Sequence, residues 1–182
     1  MTETAMRTAL VITASDGAAA GVREDASGPG VAERLGRLGY AVERLVIPDD
    51  RAAIESALVE GAARHPLVLT TGGTGLTPRD VTPQATLAVV DYEVPGLEEA
   101  MRAAGRAQTP FADLSRGVVG VRGRSLIVNL PGSPKGALES LEAIAAVLEH
   151  ALDTLGGPYD HGLTSAEPGG PAEPTGPGDN DR

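Results

Sequence analysis

The residues best suited to chemistry lie in one segment, where an apolar run ends in hydroxyl groups and glycines. Residues 67–70 are followed by a Gly-Gly-Thr-Gly turn at 72–75, and an Arg-Asp pair at 79–80 precedes a helix start. Glycines after a strand allow the backbone to approach a ligand closely and to direct amide N–H groups at an anion. A nearby carboxylate such as Asp80 adds a metal ligand or a polar anchor. This combination predicts a site for an anionic, nucleotide-like ligand.

Two common phosphate-binding motifs are excluded for this turn. A Walker A loop needs Lys followed by Ser or Thr after its last glycine, whereas Leu76 follows Gly75 here. The dinucleotide-binding fingerprint needs a third glycine, but Pro78 stands at that position. A glycine-rich connection that binds no ligand remains the alternative interpretation of the turn.

Further polar clusters follow three other strand-like segments. Ser15 and Asp16 follow the first, Asp49 follows the second, and 129–133 (Asn-Leu-Pro-Gly-Ser) follows the last. Each acid also has a structural interpretation, as a turn residue or a helix cap, and Asp80 is open to the same interpretation. Two or three carboxylates meeting near backbone amides would instead form a magnesium–phosphate site.

The elements that must position these clusters alternate along the chain. Strand-like segments are expected at 8–13, 40–47, 67–70 and 125–130, with a short one within 115–121; helices are expected at about 27–38, 50–59, 82–90, 95–106 and 136–155. Strands separated by helices imply crossover connections, and hence a mostly parallel sheet with helices on both faces. The fold class is therefore α/β, and ligands should bind at the carboxyl ends of the strands.

Composition narrows the chemistry further. The chain has 182 residues, enough for one ordinary domain, and contains no Cys, which excludes thiolate catalysis and Cys-ligated metal sites. Its three histidines show no metal-ligand spacing and no Ser-His-Asp arrangement. The formal net charge of −10 argues against a nucleic-acid partner. No apolar run approaches the length of a transmembrane helix, and the N-terminus lacks a leader-like pattern, so we expect no membrane segment and a cytoplasmic location.

The composition changes after residue 157. Residues 158–182 carry five acids against one arginine and are rich in Pro and Gly, without periodicity. Such a segment buries too little apolar surface to offset the loss of conformational entropy on folding. We therefore expect one domain over 1–157 and a disordered acidic tail over 158–182.

The motifs together resemble those of the MogA/MoaB family of molybdenum-cofactor biosynthesis proteins. One matching signature runs from Thr70 through the glycine turn to Pro83, and Asn129-Leu130-Pro131-Gly132 matches a second. Further matches are Ser15-Asp16, Asp25-x-Ser27-Gly28 and Pro48-Asp49. The resemblance extends in order over about residues 8–157 and leaves out the tail.

The resemblance implies a three-layer αβα domain, usually assembled as a homotrimer or larger oligomer. It also implies a molybdopterin adenylyltransferase that uses Mg²⁺ and ATP to adenylate the molybdopterin phosphate and releases pyrophosphate. Asp49 and Asp80 take the positions of the family's functional acids, and the resemblance implies that they hold Mg²⁺. The implied binding residues are Ser15, Asp16, Thr71, Gly72, Gly73, Thr74, Gly75, Ser115, Arg116, Pro131, Gly132 and Ser133. Arg116 would meet a phosphate or molybdate oxygen.

Two other functions remain open at this point. One is a non-catalytic MoaB-type protein that binds molybdopterin or assembles with other proteins of the pathway. The other is a scaffold like the related domain of receptor-clustering proteins, which the absence of long fused domains disfavours. The presence of both Asp49 and Asp80 favours catalysis.

Overall fold

Four strands of one six-stranded sheet run parallel and bring their carboxyl ends to the same edge. In a computed structural model, which describes residues 7–157, the strands are β1 Thr8–Ala14, β2 Ala41–Ile47, β3 Leu67–Thr71, β4 Tyr92–Glu93, β5 Val119–Arg122 and β6 Ser125–Leu130. Their order is β2-β1-β3-β6-β5-β4. The pairs β2–β1, β1–β3 and β3–β6 are parallel, whereas β5 pairs antiparallel with both β6 and β4. The predicted mostly parallel α/β sheet is confirmed.

Helices cover both faces of this sheet. They are α1 Asp16–Ala19, α2 Gly28–Arg37, α3 Arg51–Arg64, α4 Thr82–Val89, α5 Pro95–Arg106 and α6 Pro134–Gly156, with a 3-10 helix at Pro110–Leu114. One core lies under α2, α5 and α6, and a second core lies under α3 and α4. Alternate residues of β1 serve the two cores: Val11 enters the first, and Ile12 enters the second. The apolar runs of the sequence are thus explained by strands buried on both faces.

The connections that leave β1 and β3 create a crevice between these two neighbouring strands. The chain leaves β1 towards α2 on one face of the sheet and leaves β3 towards α4 on the other face, so the two connections diverge at the carboxyl ends of β1 and β3. In open parallel sheets such a divergence is the usual place for a ligand.

Capping residues set the first turns of the helices. Asp50, rather than Asp49, caps α3 by accepting a hydrogen bond from the Ala53 amide at 2.9 Å. Ser133 caps α6 in the same way through the Gly136 amide, so this helix begins at Pro134, two residues before the predicted start. Thr82 is the first residue of α4, and Pro83 follows in its first turn.

The predicted strand within 115–121 is shorter than expected. Regular pairing starts only at Val119, because the Arg116 amide donates to the Thr74 carbonyl at 2.9 Å and draws this segment towards the glycine turn. The two-residue strand β4 carried no sequence signal. The predicted acidic tail lies outside the described residues. Within 7–157, each helix is too short or too polar to cross a lipid bilayer.

Candidate functional site

The polar clusters that follow β1, β2, β3 and β6 meet around two adjoining cavities. Cavity I, of about 390 Å³, lies between the glycine turn, α5, the 3-10 helix and the start of α6; its walls include Thr74, Glu98, Met101, Arg102, Phe111 and Ser140. Cavity II, of about 450 Å³, lies over the ends of β1 and β2; its walls include Ser15, Asp16, Arg23, Asp25, Asp49 and Arg79. Gly73, Asp80 and Gly132 line both cavities. These three residues therefore mark the junction.

The two glycines at the start of the turn are required by their conformation and by close packing. Gly72 and Gly73 have φ angles of 93° and 64°, which L side chains rarely adopt. A Cβ on Gly72 would lie 2.4 Å from the Ala14 carbonyl oxygen, and one on Gly73 would lie 2.4 Å from Thr82 Oγ1. The turn consequently packs its backbone against the end of β1 and the start of α4.

The carboxylate of Asp80 organises the loop that follows the turn. Its Oδ2 accepts a hydrogen bond from the Thr77 amide at 2.8 Å, and the Gly75 amide and Thr77 hydroxyl also donate to it. Burial raises the pKa of Asp80, but these donors and the nearby Arg116 guanidinium outweigh that effect and lower it below the ordinary value. Asp80 is therefore ionised at neutral pH at the junction of the cavities.

Arg116 holds the same loop from its other side. Its Nε donates to the Gly75 carbonyl at 2.7 Å, and its Nη2 donates to the Asp80 carbonyl at 2.6 Å. The neighbouring Ser115 lines cavity I, whereas Arg116 lines neither cavity. A contact between Arg116 and a phosphate stays a prediction; the contacts in the structure are those of a clamp on the loop.

Asp16 and Asp49 are linked to each other at the ends of β1 and β2. The Asp16 amide donates to Asp49 Oδ2, and the Asp49 amide donates to Asp16 Oδ1. Asp16 also forms an ion pair with Arg79, and the Arg79 and Asp49 hydrogen bonds lower the pKa of Asp16. Asp49 Oδ1 lies 3.5 Å from the position of a Cβ on Gly73, which places this carboxylate beside the glycine turn.

Three predicted binding hydroxyls make contacts within the protein. Ser15 Oγ accepts from the Ala18 amide and Ser133 Oγ from the Gly136 amide, so both act as helix caps on the cavity walls. Thr71 is fully buried and accepts a hydrogen bond from Ser27 at 2.9 Å. These contacts place the three side chains at the site in supporting positions.

A buried polar network behind cavity II was only partly visible in the sequence. Asp25 accepts hydrogen bonds from the Gly28 amide, Thr13 Oγ1 and Arg44 Nη2, at 2.9, 3.0 and 2.9 Å. Thr13 in turn lies 3.4 Å from Thr71 Oγ1, which extends the network into β3. The Asp25-x-Ser27-Gly28 motif signalled part of this network, but no local pattern linked it to Thr13.

The polar wall of cavity I was missed. Glu98 is buried, accepts from the Val119 amide at 3.0 Å and pairs with Arg102. In the sequence these two residues have the i,i+4 spacing of an ordinary surface ion pair. Only the packing of α5 against β5 and α6 turns them inward.

Comparison with known proteins places this site in a family. A family model described as "Probable molybdopterin binding domain" matches residues 10–150. The chain belongs to this family. The match contains every predicted site residue, from Ser15 to Ser133.

Curated relatives of this family cover most of the chain. A protein of Escherichia coli K12 named molybdopterin adenylyltransferase is 42% identical over 164 residues, covering 87% of this chain and 80% of that protein. A protein of Helicobacter pylori J99 with the same name is 40% identical over 156 residues, covering 82% and 88%.

Solved structures of the family share the fold. The molybdopterin biosynthesis enzyme MoaB of Thermus thermophilus is 49% identical, with a TM-score of 0.78, covering 85% of this chain and 99% of that one. The Mog protein of Mycobacterium ulcerans is 46% identical, also with a TM-score of 0.78, covering 82% and 99%. The MogA/MoaB resemblance predicted from the sequence is thus confirmed.

Proposed function

We propose that this protein is a molybdopterin adenylyltransferase, which transfers AMP from ATP to the phosphate of molybdopterin and releases pyrophosphate. The observation that carries the proposal is the pair of chemically different cavities that join at Asp80 and the glycine turn. Two ligands that react with each other need two sites with a common boundary. The relatives named molybdopterin adenylyltransferase, at 40% and 42% identity, support the same activity.

Cavity I is suited to the pterin. Met101, Phe111 and Leu114 supply apolar walls, while the buried Glu98 and the adjacent Arg102 supply hydrogen-bonding groups. A flat heterocycle with apolar faces and polar edges needs both kinds of contact. We assign the molybdopterin ring to cavity I, with its phosphate directed at the junction.

Cavity II is suited to a nucleotide with a divalent cation. Its walls carry the carboxylates of Asp16, Glu24, Asp25, Asp49 and Asp80. Asp16 and Asp25 are paired with arginines, which leaves Asp49 and Asp80 as the acids nearest the glycine turn. Magnesium is commonly held by one or two carboxylates with substrate phosphates and water, and this donor set matches that pattern. When bound there, Mg²⁺ would offset the negative charge of the ATP phosphates.

The reaction then needs positioning more than a protein nucleophile. An oxygen of the molybdopterin phosphate attacks the α-phosphorus of ATP, a new P–O bond forms, and the bond to the β-phosphate breaks. The electron pair leaves with pyrophosphate. The Gly72 amide donates to the Leu130 carbonyl at 3.3 Å and holds the turn in place. The Gly73 amide and the ordered loop around Asp80, both at the junction, are the groups that would orient the two anions. Charge stabilisation by preorganised donors is the usual source of catalysis in such transfers.

The family resemblance supports two further parts of the proposal, a homotrimer and contacts with other proteins of the pathway. A cytoplasmic location, expected from the sequence, is also part of it. Sedimentation equilibrium of the full chain measures the first. A mass three times that of the 18.5 kDa chain is expected.

A second candidate function is binding of molybdopterin without catalysis. The observation that keeps it open is the 49% identity to a structure described as the molybdopterin biosynthesis enzyme MoaB, a description that does not name adenylyl transfer. Incubation of the protein with ATP, Mg²⁺ and molybdopterin separates the two: adenylylated pterin and pyrophosphate are expected. Retained pterin binding without either product would establish the binding protein instead.

The residue test of the proposed reaction is Asp80→Asn. This variant keeps an oxygen acceptor for the Thr77 amide but removes the charge at the junction, so turnover should fall by roughly a hundredfold. Asp91→Asn is the matched control, because Asp91 accepts a similar bond from the Gly123 amide at 2.7 Å and lines neither cavity. Equal turnover in both variants would remove Asp80 from the reaction.

A further inference from the structure

One cation on the wall of cavity II lacks a protein partner. Among residues 7–157, the Arg23 guanidinium forms no hydrogen bond or ion pair, whereas the other lining guanidinium, that of Arg79, is paired with Asp16. The cavity is also lined by five carboxylates against these two guanidinium groups, a formal excess of three negative charges. The exposed and unpaired Arg23 is therefore a positive charge available to an incoming anion.

The backbone around Gly17 holds Arg23 on this wall. The amides of Val22 and Arg23 both donate to the Gly17 carbonyl, at 2.9 and 3.0 Å. The Arg23 side chain then lies across Gly17: its Cβ and Nε atoms are each 3.3 Å from the position that a Cβ on Gly17 would occupy. The exposed Arg23 side chain thus packs over Gly17, and both residues line cavity II.

The position of Arg23 identifies the part of the nucleotide that it would meet. The reacting phosphates must lie at the junction, where Gly73, Asp80 and Gly132 face both cavities. Arg23 lines cavity II alone, so it lies away from the reacting atoms. A cation at this position is suited to the β- and γ-phosphates of ATP, which are released as pyrophosphate. We propose that Arg23 binds the β- and γ-phosphates of ATP and hence the pyrophosphate product; this inference rests on the proposed function.

The test compares three probes on the full chain with Mg²⁺ present: ATP, pyrophosphate and AMP, each titrated by calorimetry. Arg23→Ala should weaken ATP and pyrophosphate by about tenfold, the effect expected for one charge-assisted hydrogen bond, and leave AMP within about twofold. Gly17→Ala, which keeps the charge but crowds the Arg23 side chain, should weaken pyrophosphate to an intermediate extent. Arg37→Ala is the control, because it removes an equal charge from an exposed pair with Glu33 and should change none of the three affinities.

The outcomes distinguish this inference from the proposed function. The inference would be overturned if Arg23→Ala and Arg37→Ala bound pyrophosphate with the same affinity. It would also be overturned if Arg23→Ala lost as much affinity for AMP as for ATP, because Arg23 would then contact the nucleoside monophosphate part. Wild-type protein that binds pyrophosphate through Arg23 but forms no adenylylated pterin would support the anion contact and contradict the proposed activity. Wild-type protein that binds neither ATP nor pyrophosphate would overturn both.

Discussion

Asp16 and Asp49 each accept a hydrogen bond from the other's backbone amide. The distances are 2.9 Å from Asp16 N to Asp49 Oδ2 and 3.0 Å from Asp49 N to Asp16 Oδ1. The ion pair of Asp16 with Arg79 ties this pair to the loop after β3. Three strand ends are thereby coupled: the Asp16 carboxylate holds the Asp49 backbone, and the Asp16 amide holds the Asp49 carboxylate. We infer that Asp16 positions Asp49 and does not itself bind the substrate.

Asp16→Ala should therefore lower kcat by roughly tenfold, the usual scale for losing a residue that orients a metal-binding side chain, which is the role proposed for Asp49. The substitution leaves the Asp49 amide and Arg79 without their acceptor. Asp16→Asn keeps an oxygen for the Asp49 amide and should recover most of the rate. Steady-state rates of pyrophosphate release with ATP and molybdopterin measure both variants.

Asp50→Ala serves as the control for this position. It removes the cap that accepts from the Ala53 amide, so the free energy of unfolding should fall by about 1 kcal/mol while kcat stays unchanged. If Asp16→Ala behaves like Asp50→Ala, with a loss of stability alone, the positioning role is wrong.

Arg116→Lys is predicted to loosen the loop that carries Asp80. A guanidinium donates to the Gly75 and Asp80 carbonyls at once, at 2.7 and 2.6 Å, whereas a single ammonium lacks this fork. Turnover should fall roughly tenfold with both substrates saturating. Arg122→Lys is the matched control, because Arg122 donates to the Val89 carbonyl outside both cavities.

The same variant decides between two roles for Arg116. The family resemblance predicts a contact with a phosphate or molybdate oxygen. In that case Arg116→Lys would raise the KM for molybdopterin and leave kcat near its original value. A clamp on the loop instead predicts a lower kcat, together with faster proteolysis between residues 75 and 80.

The convergence of the four strand ends was predictable because parallel topology leaves little freedom. Buried apolar runs mark the strands, and intervening helices force crossovers, so the clusters at Ser15, Asp49 and Gly72 had to share one edge. The division into two cavities was not predictable in the same way. It depends on how α5 and the 3-10 helix pack over β5, and on Glu98 turning inward to the Val119 amide.

Contacts to backbone atoms were also beyond the sequence. Arg116 donates to two backbone carbonyl groups, and every residue has such a carbonyl, so the sequence does not indicate which ones are contacted. The contact between Thr13 and Thr71 joins residues 58 positions apart, which no local spacing encodes. Such long-range polar contacts follow from the fold and become visible only with it.

Gly73→Ala should disrupt the turn without changing any charged group. The φ angle of 64° and a Cβ position 2.4 Å from Thr82 Oγ1 together predict a loss of about 2 kcal/mol in the free energy of unfolding. Turnover should fall with it, because the amides of the turn lose their alignment. Chemical denaturation and the adenylylation assay measure the two effects.

Gly96→Ala is the corresponding control on α5. A Cβ there has no neighbour within 4 Å and the backbone is helical, so stability should rise by up to about 1 kcal/mol. If Gly73→Ala were as well tolerated as Gly96→Ala, the strained turn would not be required.

Asp25 should make stability depend on pH in the acid range. Burial raises the pKa of Asp25, but the donors on Gly28, Arg44 and Thr13 outweigh it and lower the folded-state pKa below the ordinary 3.8. The ionised form is therefore favoured by folding. Its contribution is fully present above the unfolded-state pKa and is lost as the pH falls through the lower folded-state value.

Denaturation of wild type and Asp25→Asn between pH 7 and pH 2 tests this sign. At pH 7 the variant should be less stable by about 2 kcal/mol, because it loses hydrogen bonds to an ionised acceptor. The difference should shrink below about pH 4, as the Asp25 carboxylate is protonated first in the unfolded state and then, at its lower pKa, in the folded state. Glu33→Gln, at an exposed pair with Arg37, should differ from wild type by less than about 0.5 kcal/mol at pH 7. A difference for Asp25→Asn that stays constant over this range would show that its charge does not stabilise the fold.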